Sequence, residues 1–303
     1  MTDSSLSRVL RQLRAFSAVA EARSFTQAAE SLGWAQSSVT ALIQALEREF
    51  ERPLLERLGK RVTLTEAGGR LLAYAGQVMQ IVEEARAAVG GEGPLAGTLT
   101  IGTPETVCAY RLPPVLRRLR ERHPGIQLVF KAGISTDLRS DVIEGRLDLA
   151  FTLDRYLPSP ALVIEPLLHE RVLLLTHAGD ALAQRERVAP ADLDGVPLIL
   201  TEAGGSYRTA FENALSEHGC RPGARIEFAS VEAIKQCTIA GIGVTVLPAA
   251  AAAPELRDGR LIALPWSGCD LDVAVQMIRH KDKHLSPTIL AFQEIVRELL
   301  ASS

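Results

Sequence analysis

Ser24-Phe25-Thr26-Gln27-Ala28-Ala29, then Gly33, then Ala35-Gln36-Ser37-Ser38-Val39-Thr40 is the stretch that decides how this chain is read. Ser24 is placed as an N-cap, and Gln27 three residues on completes a capping-box pattern ahead of Ala28, Ala29 and Leu32. Gly33 ends that helix, because a left-handed residue is cheap only for glycine. A second helix follows from about Gln36 to Phe50, with Val39, Leu42, Ile43 and Leu46 at inward spacing. The pair is a helix-turn-helix in which the small Ala29 permits a close crossing. Gln36, Ser37, Ser38 and Thr40 then open the second helix, where amides and hydroxyls can bond base edges or phosphates.

Working outward, Leu10, Leu13, Phe16 and Ala20 predict a first helix over Leu6 to Glu21. On the other side, Leu54-Leu55-Glu56-Arg57, Leu58-Gly59-Lys60 and Arg61-Val62-Thr63-Leu64 read as a small hairpin with a basic tip, a wing. Thr65 caps a long helix in which Leu71, Ala75, Val78, Val82, Ala85 and Val89 recur at four- and three-residue steps. That is a short heptad seam, favouring a dimer contact over packing on its own chain. Gly90-Gly91-Glu92-Gly93-Pro94 marks a hinge. Beyond it strands alternate with helices, which predicts an α/β fold with a largely parallel sheet. Strands are expected at Leu99-Ile101, 126–130, 147–152, 172–176, 196–200, 225–228, 244–247 and 273–279, and helices at 112–122, 136–144, 207–218, 231–240 and 287–300.

Charge is distributed as such a division requires. The chain has 303 residues and a formal net charge of −3. Residues 1–70 hold ten Lys/Arg against eight Asp/Glu, a net of +2, and the remainder holds 23 against 28, a net of −5. A mildly basic module on an acidic domain has the sign expected of a nucleic-acid reader. No apolar run approaches the roughly 20 residues of a membrane helix, and the N-terminal residues lack a signal-peptide pattern, so the expected location is the cytoplasm. Cys108, Cys220, Cys237 and Cys269 are widely spaced, which predicts neither a disulfide scaffold nor a metal site. No nucleophile elbow, phosphate loop, dinucleotide fingerprint or metal-spaced His/Glu cluster is present, so no enzyme and no cofactor is expected.

With these residues in place, the chain resembles the LysR-type transcriptional regulators. The resemblance rests on the helix-turn-helix segments above, on Leu54-Leu55-Glu56-Arg57 and on Leu64-Thr65-Glu66-Ala67-Gly68. It continues through Leu99-Thr100-Ile101-Gly102, Leu147-Asp148-Leu149-Ala150 and Ala240-Gly241-Ile242-Gly243-Val244. It implies a winged helix-turn-helix over 1–64, a linker and dimerisation helix over 65–90, and a two-lobed periplasmic-binding-protein-like effector domain over 91–303. Lobe I would span about 95–167 and 270–303, and lobe II about 168–269. The implied partners are double-stranded promoter DNA, a small-molecule effector, a second copy in a dimer or tetramer, and RNA polymerase. Position by position, the resemblance assigns DNA contact to Gln36, Ser37, Thr40 and Arg57; Thr26, Ser38 and Arg61 are further candidate DNA-binding residues, Arg61 and Lys60 reading equally as phosphate clamps or as solvated wing charges. Ala41 departs from the pattern, standing where relatives often carry a basic residue.

In a two-lobed α/β domain a ligand settles beyond the carboxyl ends of strands, where helix N-termini present free N–H groups. Thr103, Glu105, Thr106, Ser135, Thr136, Thr152, Thr201 and Ser206 follow strands in this way and are the candidate effector residues. Their hydroxyls suit a carboxylate or another anionic group; Glu105 and Glu202 would oppose one if they faced inward. An alternative reading is a thiol-based redox sensor using Cys220 or Cys237, of which Cys237 is expected to be a packed side chain. Trp34 and Trp266 are read as packing residues.

Overall fold

The computed structural model describes residues 3–58, 61–89 and 95–301; the hinge at 90–94 and the wing tip Gly59-Lys60 lie outside them. The chain divides into two compact units near residue 97, the second interrupted by the short segment 144–146 that belongs with the first.

The first unit contains α1 (Asp3–Ala22), α2 (Phe25–Leu32), α3 (Gln36–Glu49), β1 (Leu55–Leu58), β2 (Arg61–Leu64) and α4 (Glu66–Val89). Its core is made by Phe16 and Val19 of α1, Ala28 and Ala29 of α2, Val39, Ile43 and Leu46 of α3, and Leu54, Val62 and Ala75 around the hairpin. Gly33 sits at φ +67°, and the Trp34 N–H reaches back to the Ala29 carbonyl at 2.9 Å, so the turn closes in the left-handed conformation glycine makes cheap. Two contacts aim the wing. Glu47 Oε1 of α3 accepts from the Leu54 and Leu55 amides at 2.9 and 3.2 Å, and the Val62 amide donates to the Arg23 carbonyl at 3.3 Å. The hairpin pairs Leu55 with Leu64 and Leu58 with Arg61. Thr65 caps α4 by accepting from the Gly68 amide at 2.9 Å while its hydroxyl donates to the Pro53 carbonyl at 2.8 Å. A Cβ on Gly68 would lie 2.0 Å from the Leu54 carbonyl oxygen, so this close approach excludes any larger residue.

The heptad seam divides: Ala75 is buried and Leu71 packs with it in the unit's own core, Val78 is exposed and Val82 half-buried, and the side chains of Ala85 and Val89 lie outside the described residues. Beside the seam, Tyr74 and Ile81 are also exposed.

The second unit begins with β3 (Ala96–Thr103), α5 (Glu105–Tyr110), α6 (Pro113–Arg122), β4 (Gly125–Ala132), α7 (Ser135–Ile143), β5 (Leu149–Asp154) and β6 (Leu162–Glu170). It continues with β7 (Val172–His177), β8 (Leu198–Leu200), α8 (Ser206–Glu217), β9 (Arg225–Glu227), α9 (Val231–Ile239), β10 (Thr245–Pro248), α10 (Ala249–Arg257), β11 (Leu261–Ala263), β12 (Val273–His280) and α11 (Pro287–Leu300). One five-stranded sheet has the order β4-β3-β5-β12-β6, and a three-stranded sheet has the order β10-β7-β11. Every residue of β5 is buried, as a strand covered on both faces requires, and Phe151 meets Phe292 of α11 edge-on at 6.3 Å.

The sheets are more mixed than the alternation of strands and helices predicts. β3 and β5 run parallel, as do β8 and β9, but β12 is antiparallel to both β5 and β6, and β7 is antiparallel to β10 and β11. Strand β6 was not expected from the sequence. Pro166 interrupts its pattern, and the pairing slips at Val275/Gln276; an edge strand tolerates both. Helix α10 escaped too, because a run of alanines carries propensity without an amphipathic period. Behind it, Lys235 of α9 is buried between Glu255 at 3.0 Å and Glu232 at 2.9 Å and lies over the Tyr110 ring. Burial disfavours its charge, but hydrogen bonds to the two carboxylates and to Tyr110 outweigh that and hold the ammonium above its ordinary range.

Candidate nucleic-acid interface and effector cleft

Helix α3 is divided cleanly by its sequence. Val39, Ile43 and Leu46 point into the core, and Gln36, Ser37, Ser38 and Ala41 are exposed. The N-cap is Ala35, which offers no side-chain oxygen, and the first turn carries no acidic residue. The Ser38 and Val39 amides bond the Ala35 carbonyl at 3.0 and 3.1 Å, so the Gln36 and Ser37 N–H groups precede the first bonds of the helix and face outward. Such a bare N-terminus attracts phosphate, and a long amide side chain beside it can reach a base edge. Thr40 is less available than its neighbours, because its hydroxyl donates to the Gln36 carbonyl at 3.0 Å. Thr26 is exposed in the first turn of α2, which Ser24 caps through the Gln27 amide. Arg57 and Arg61 occupy the two wing strands; their side chains lie outside the described residues. Trp34 packs on the core of this unit and stacks under the Arg11 guanidinium at 5.4 Å.

In the second unit a cavity of about 210 Å³ opens where β3, β4, β5 and β8 end and α5, α7, α8 and α9 begin. Of the expected residues, Glu105, Thr106, Ser135 and Thr201 line it. Thr103, Thr136, Thr152 and Ser206 do not. Side chains alternate along a strand, so when Leu153 faces the cavity Thr152 turns to the opposite side, where it is fully buried. Thr103 is buried and donates to the Pro104 carbonyl at 3.1 Å. Ser206 donates to the Leu153 carbonyl at 3.5 Å, and the Leu153 amide donates to Ser135 Oγ at 3.3 Å, so β5 pins the starts of α7 and α8 through one residue. The lining also includes Glu202, named above only as a residue that would oppose an anion, and Pro104, Ile134, Gly205, Tyr207 and Val231, which were not among the candidates. They were findable in principle, as residues flanking the helix starts already marked.

Two polar features shape this cavity. Glu105 Oε2, from the first turn of α5, accepts from the Val231 amide at 2.9 Å and so caps α9 from a distant part of the chain. Tyr207 is buried and hydrogen-bonded to the Thr201 side chain; burial pushes its phenol above the usual range, so it stays protonated. Among the described residues no Lys, Arg or His lines the cavity.

The cysteines give the thiol reading no support. All four are free; Cys237 packs in the core formed by Val231, Ile234 and Leu247, and Cys220 lies in the turn after α8. Burial pushes the Cys108 and Cys269 thiols up, away from reactivity. Trp266 packs on Phe211 and donates to the Cys269 carbonyl at 3.0 Å. Among the described residues no helix is long and apolar enough to cross a membrane.

Residues 10–69 match the family model of the bacterial regulatory helix-turn-helix protein, lysR family, and residues 92–301 match that of the LysR substrate binding domain. The chain belongs to the LysR family of transcription regulators. As a LysR-family protein it is a DNA-binding transcription regulator with an effector-binding domain, and the thiol-sensor alternative is set aside. It is 39% identical to the HTH-type transcriptional regulator YwqM of Bacillus subtilis over 95% of this chain and 98% of that one. Among solved structures it is similar to ArgP from Mycobacterium tuberculosis, with a TM-score of 0.75, 24% identity and 96% of each chain covered, which speaks for the fold. It is also similar to full-length CbnR, solved in complex with its target DNA, with a TM-score of 0.62, 27% identity and 95% and 99% of the two chains covered.

Proposed function

We propose that this regulator reads promoter DNA with the first turn of α3 and is tuned by a small molecule held in the cavity at the starts of α5, α7, α8 and α9. Gln36 bonds a base edge in the major groove, Ser37 and Ser38 with the bare amides of α3 hold phosphate, Thr26 supports from α2, and Arg57 and Arg61 lay the wing along the backbone. The observation that carries this reading is the uncapped, acid-free start of α3 with Gln36, Ser37 and Ser38 exposed over a buried Val39. CbnR, a 27% identical relative, engages target DNA, which supports it.

The division of labour follows the boundaries 1–64, 65–90 and 91–303, with lobes at about 95–167 plus 270–303 and at 168–269. The exposed Tyr74, Val78 and Ile81 on α4 supply the contact for a dimer or tetramer, and RNA polymerase is the further partner in the cytoplasm. A ligand between the lobes favours one of their relative angles, and the oligomer passes that preference to the spacing of its DNA-reading heads.

Selection of binding sites from a random duplex library, run with the wild-type chain and with Gln36→Ala, tests the reader. The variant is expected to lose about 10- to 100-fold of discrimination at one or two base positions while folding normally. An unchanged preferred sequence would remove Gln36 from the interface.

A further inference from the structure

The cavity is already read above as the effector site, and the inference here rests on that reading and concerns the ligand's chemistry. Thr106 is 7% exposed and lines the cavity, and among the described residues its hydroxyl has no hydrogen-bond partner. With most of its side chain packed away, Thr106 can offer this hydroxyl to a group that enters the cavity. Beside it in the chain, Glu105 is held in place through one carboxylate oxygen by the Val231 amide at 2.9 Å, which leaves the other oxygen preset as an acceptor. Glu202 lines the cavity from the segment after β8. Among the described residues the lining contains these two carboxylates, both exposed, and no cationic side chain, so a purely anionic ligand would meet like charge with no counter-charge beside it. The helix end best placed to receive such an anion, that of α9, is already filled by Glu105.

We propose that the cavity takes a small ligand carrying a protonated amine, received by Glu105, Glu202 and the Thr106 hydroxyl. Carboxylate and hydroxyl oxygens accept the three N–H donors that an ammonium presents. Such a group comes from a simple amine or from an amino acid, whose carboxylate the starts of α7 and α8 would take, since Gly205 gives α8 no side-chain cap.

Four probes of matched size separate these cases: butylammonium, 2-aminobutyrate, butan-1-ol and butyrate, each added to the full chain at equal ionic strength while hydrogen exchange is followed by mass spectrometry. Butylammonium and 2-aminobutyrate are expected to slow exchange in the segments 104–107 and 201–207. Thr106→Val and Glu202→Gln are each expected to raise the half-protecting concentration at least tenfold without altering exchange of the free protein elsewhere. A tenfold advantage of 2-aminobutyrate identifies an amino acid; equal effects identify a simple amine. Butyrate protecting these segments at lower concentration than butylammonium, or butan-1-ol matching it, would overturn the amine and leave the cavity as the effector site. Protection by no probe, or only outside these segments, would overturn the cavity reading and this inference with it.

Discussion

Helices α3 and α9 both begin at positions to which the proposed function gives a role, yet their first turns are filled in opposite ways. α9 starts with Ser230 accepting from the Ala233 amide, Glu232 in the first turn and Glu105 accepting from the Val231 amide. Its positive end is answered by oxygens of its own chain. α3 starts at Ala35, with no side-chain cap and no acid. A missing cap gives up about 1 kcal/mol of stability, so a bare start is a cost that an outside anion can repay. On the function proposed above, the contrast separates a helix end left open to DNA phosphate from one that already carries an anion of its own chain, a carboxylate that also lines the cavity.

The largest expected effect comes from erasing the difference at α3. Ser37→Glu puts a carboxylate in its first turn, and repulsion from phosphate costs several kcal/mol, about 100-fold or more in affinity for any duplex. The same change should leave thermal stability equal or slightly raised, since an acid suits a helix start. Fluorescence anisotropy with labelled duplexes and a melting curve check the two halves. Next in size, Glu105→Ala leaves the Val231 amide at the start of α9 without its acceptor, Ser230 still capping the helix, and should lower the unfolding free energy of the second unit by about 1 kcal/mol, read from urea midpoints. Glu105→Gln should recover part of it, because an amide oxygen can still accept from Val231.

A smaller effect is expected at the wing. Arg57→Ala should reduce the slope of log affinity against log salt by about one, with little change in sequence preference. The smallest concerns Glu232. The Gln236 side chain and Lys235 hold its carboxyl below the usual range, although it is largely exposed. A lowered carboxyl contributes stability above its unfolded value of about 4.3, and that contribution fades as pH falls through the folded value. Glu232→Gln should therefore lose this small contribution at neutral pH, converge with the wild type in strong acid, and so flatten the acid limb of stability against pH below about 4.3.

The reader was more legible in the sequence than the cavity, for a physical reason. Its parts are local: the Ser24 cap, the Gly33 turn and the Val39-Ile43-Leu46 face lie within some 25 residues and each leaves a periodic or conformational mark. Gly68 also belongs to this class once its approach to the Leu54 carbonyl is seen. The cavity is assembled from segments near 105, 135, 153, 202, 207 and 231, and nothing local indicates that Glu105 will cap a helix that begins at Val231. Of the hydroxyls marked after strands, Thr106, Ser135 and Thr201 line the cavity and Thr103, Thr136, Thr152 and Ser206 do not, Thr152 because strand alternation turns it away from the face of Leu153. The mixed strand directions were hidden because β12 returns from far along the chain to pair beside β5.

The central claim is that the open start of α3 grips DNA. Hydrogen exchange at the Gln36, Ser37 and Ser38 amides, measured with and without a duplex taken from the library selection, tests it directly. Slowing at these amides, lost in Ser37→Glu, is the predicted result; exchange there unchanged by a duplex that is demonstrably bound would contradict it.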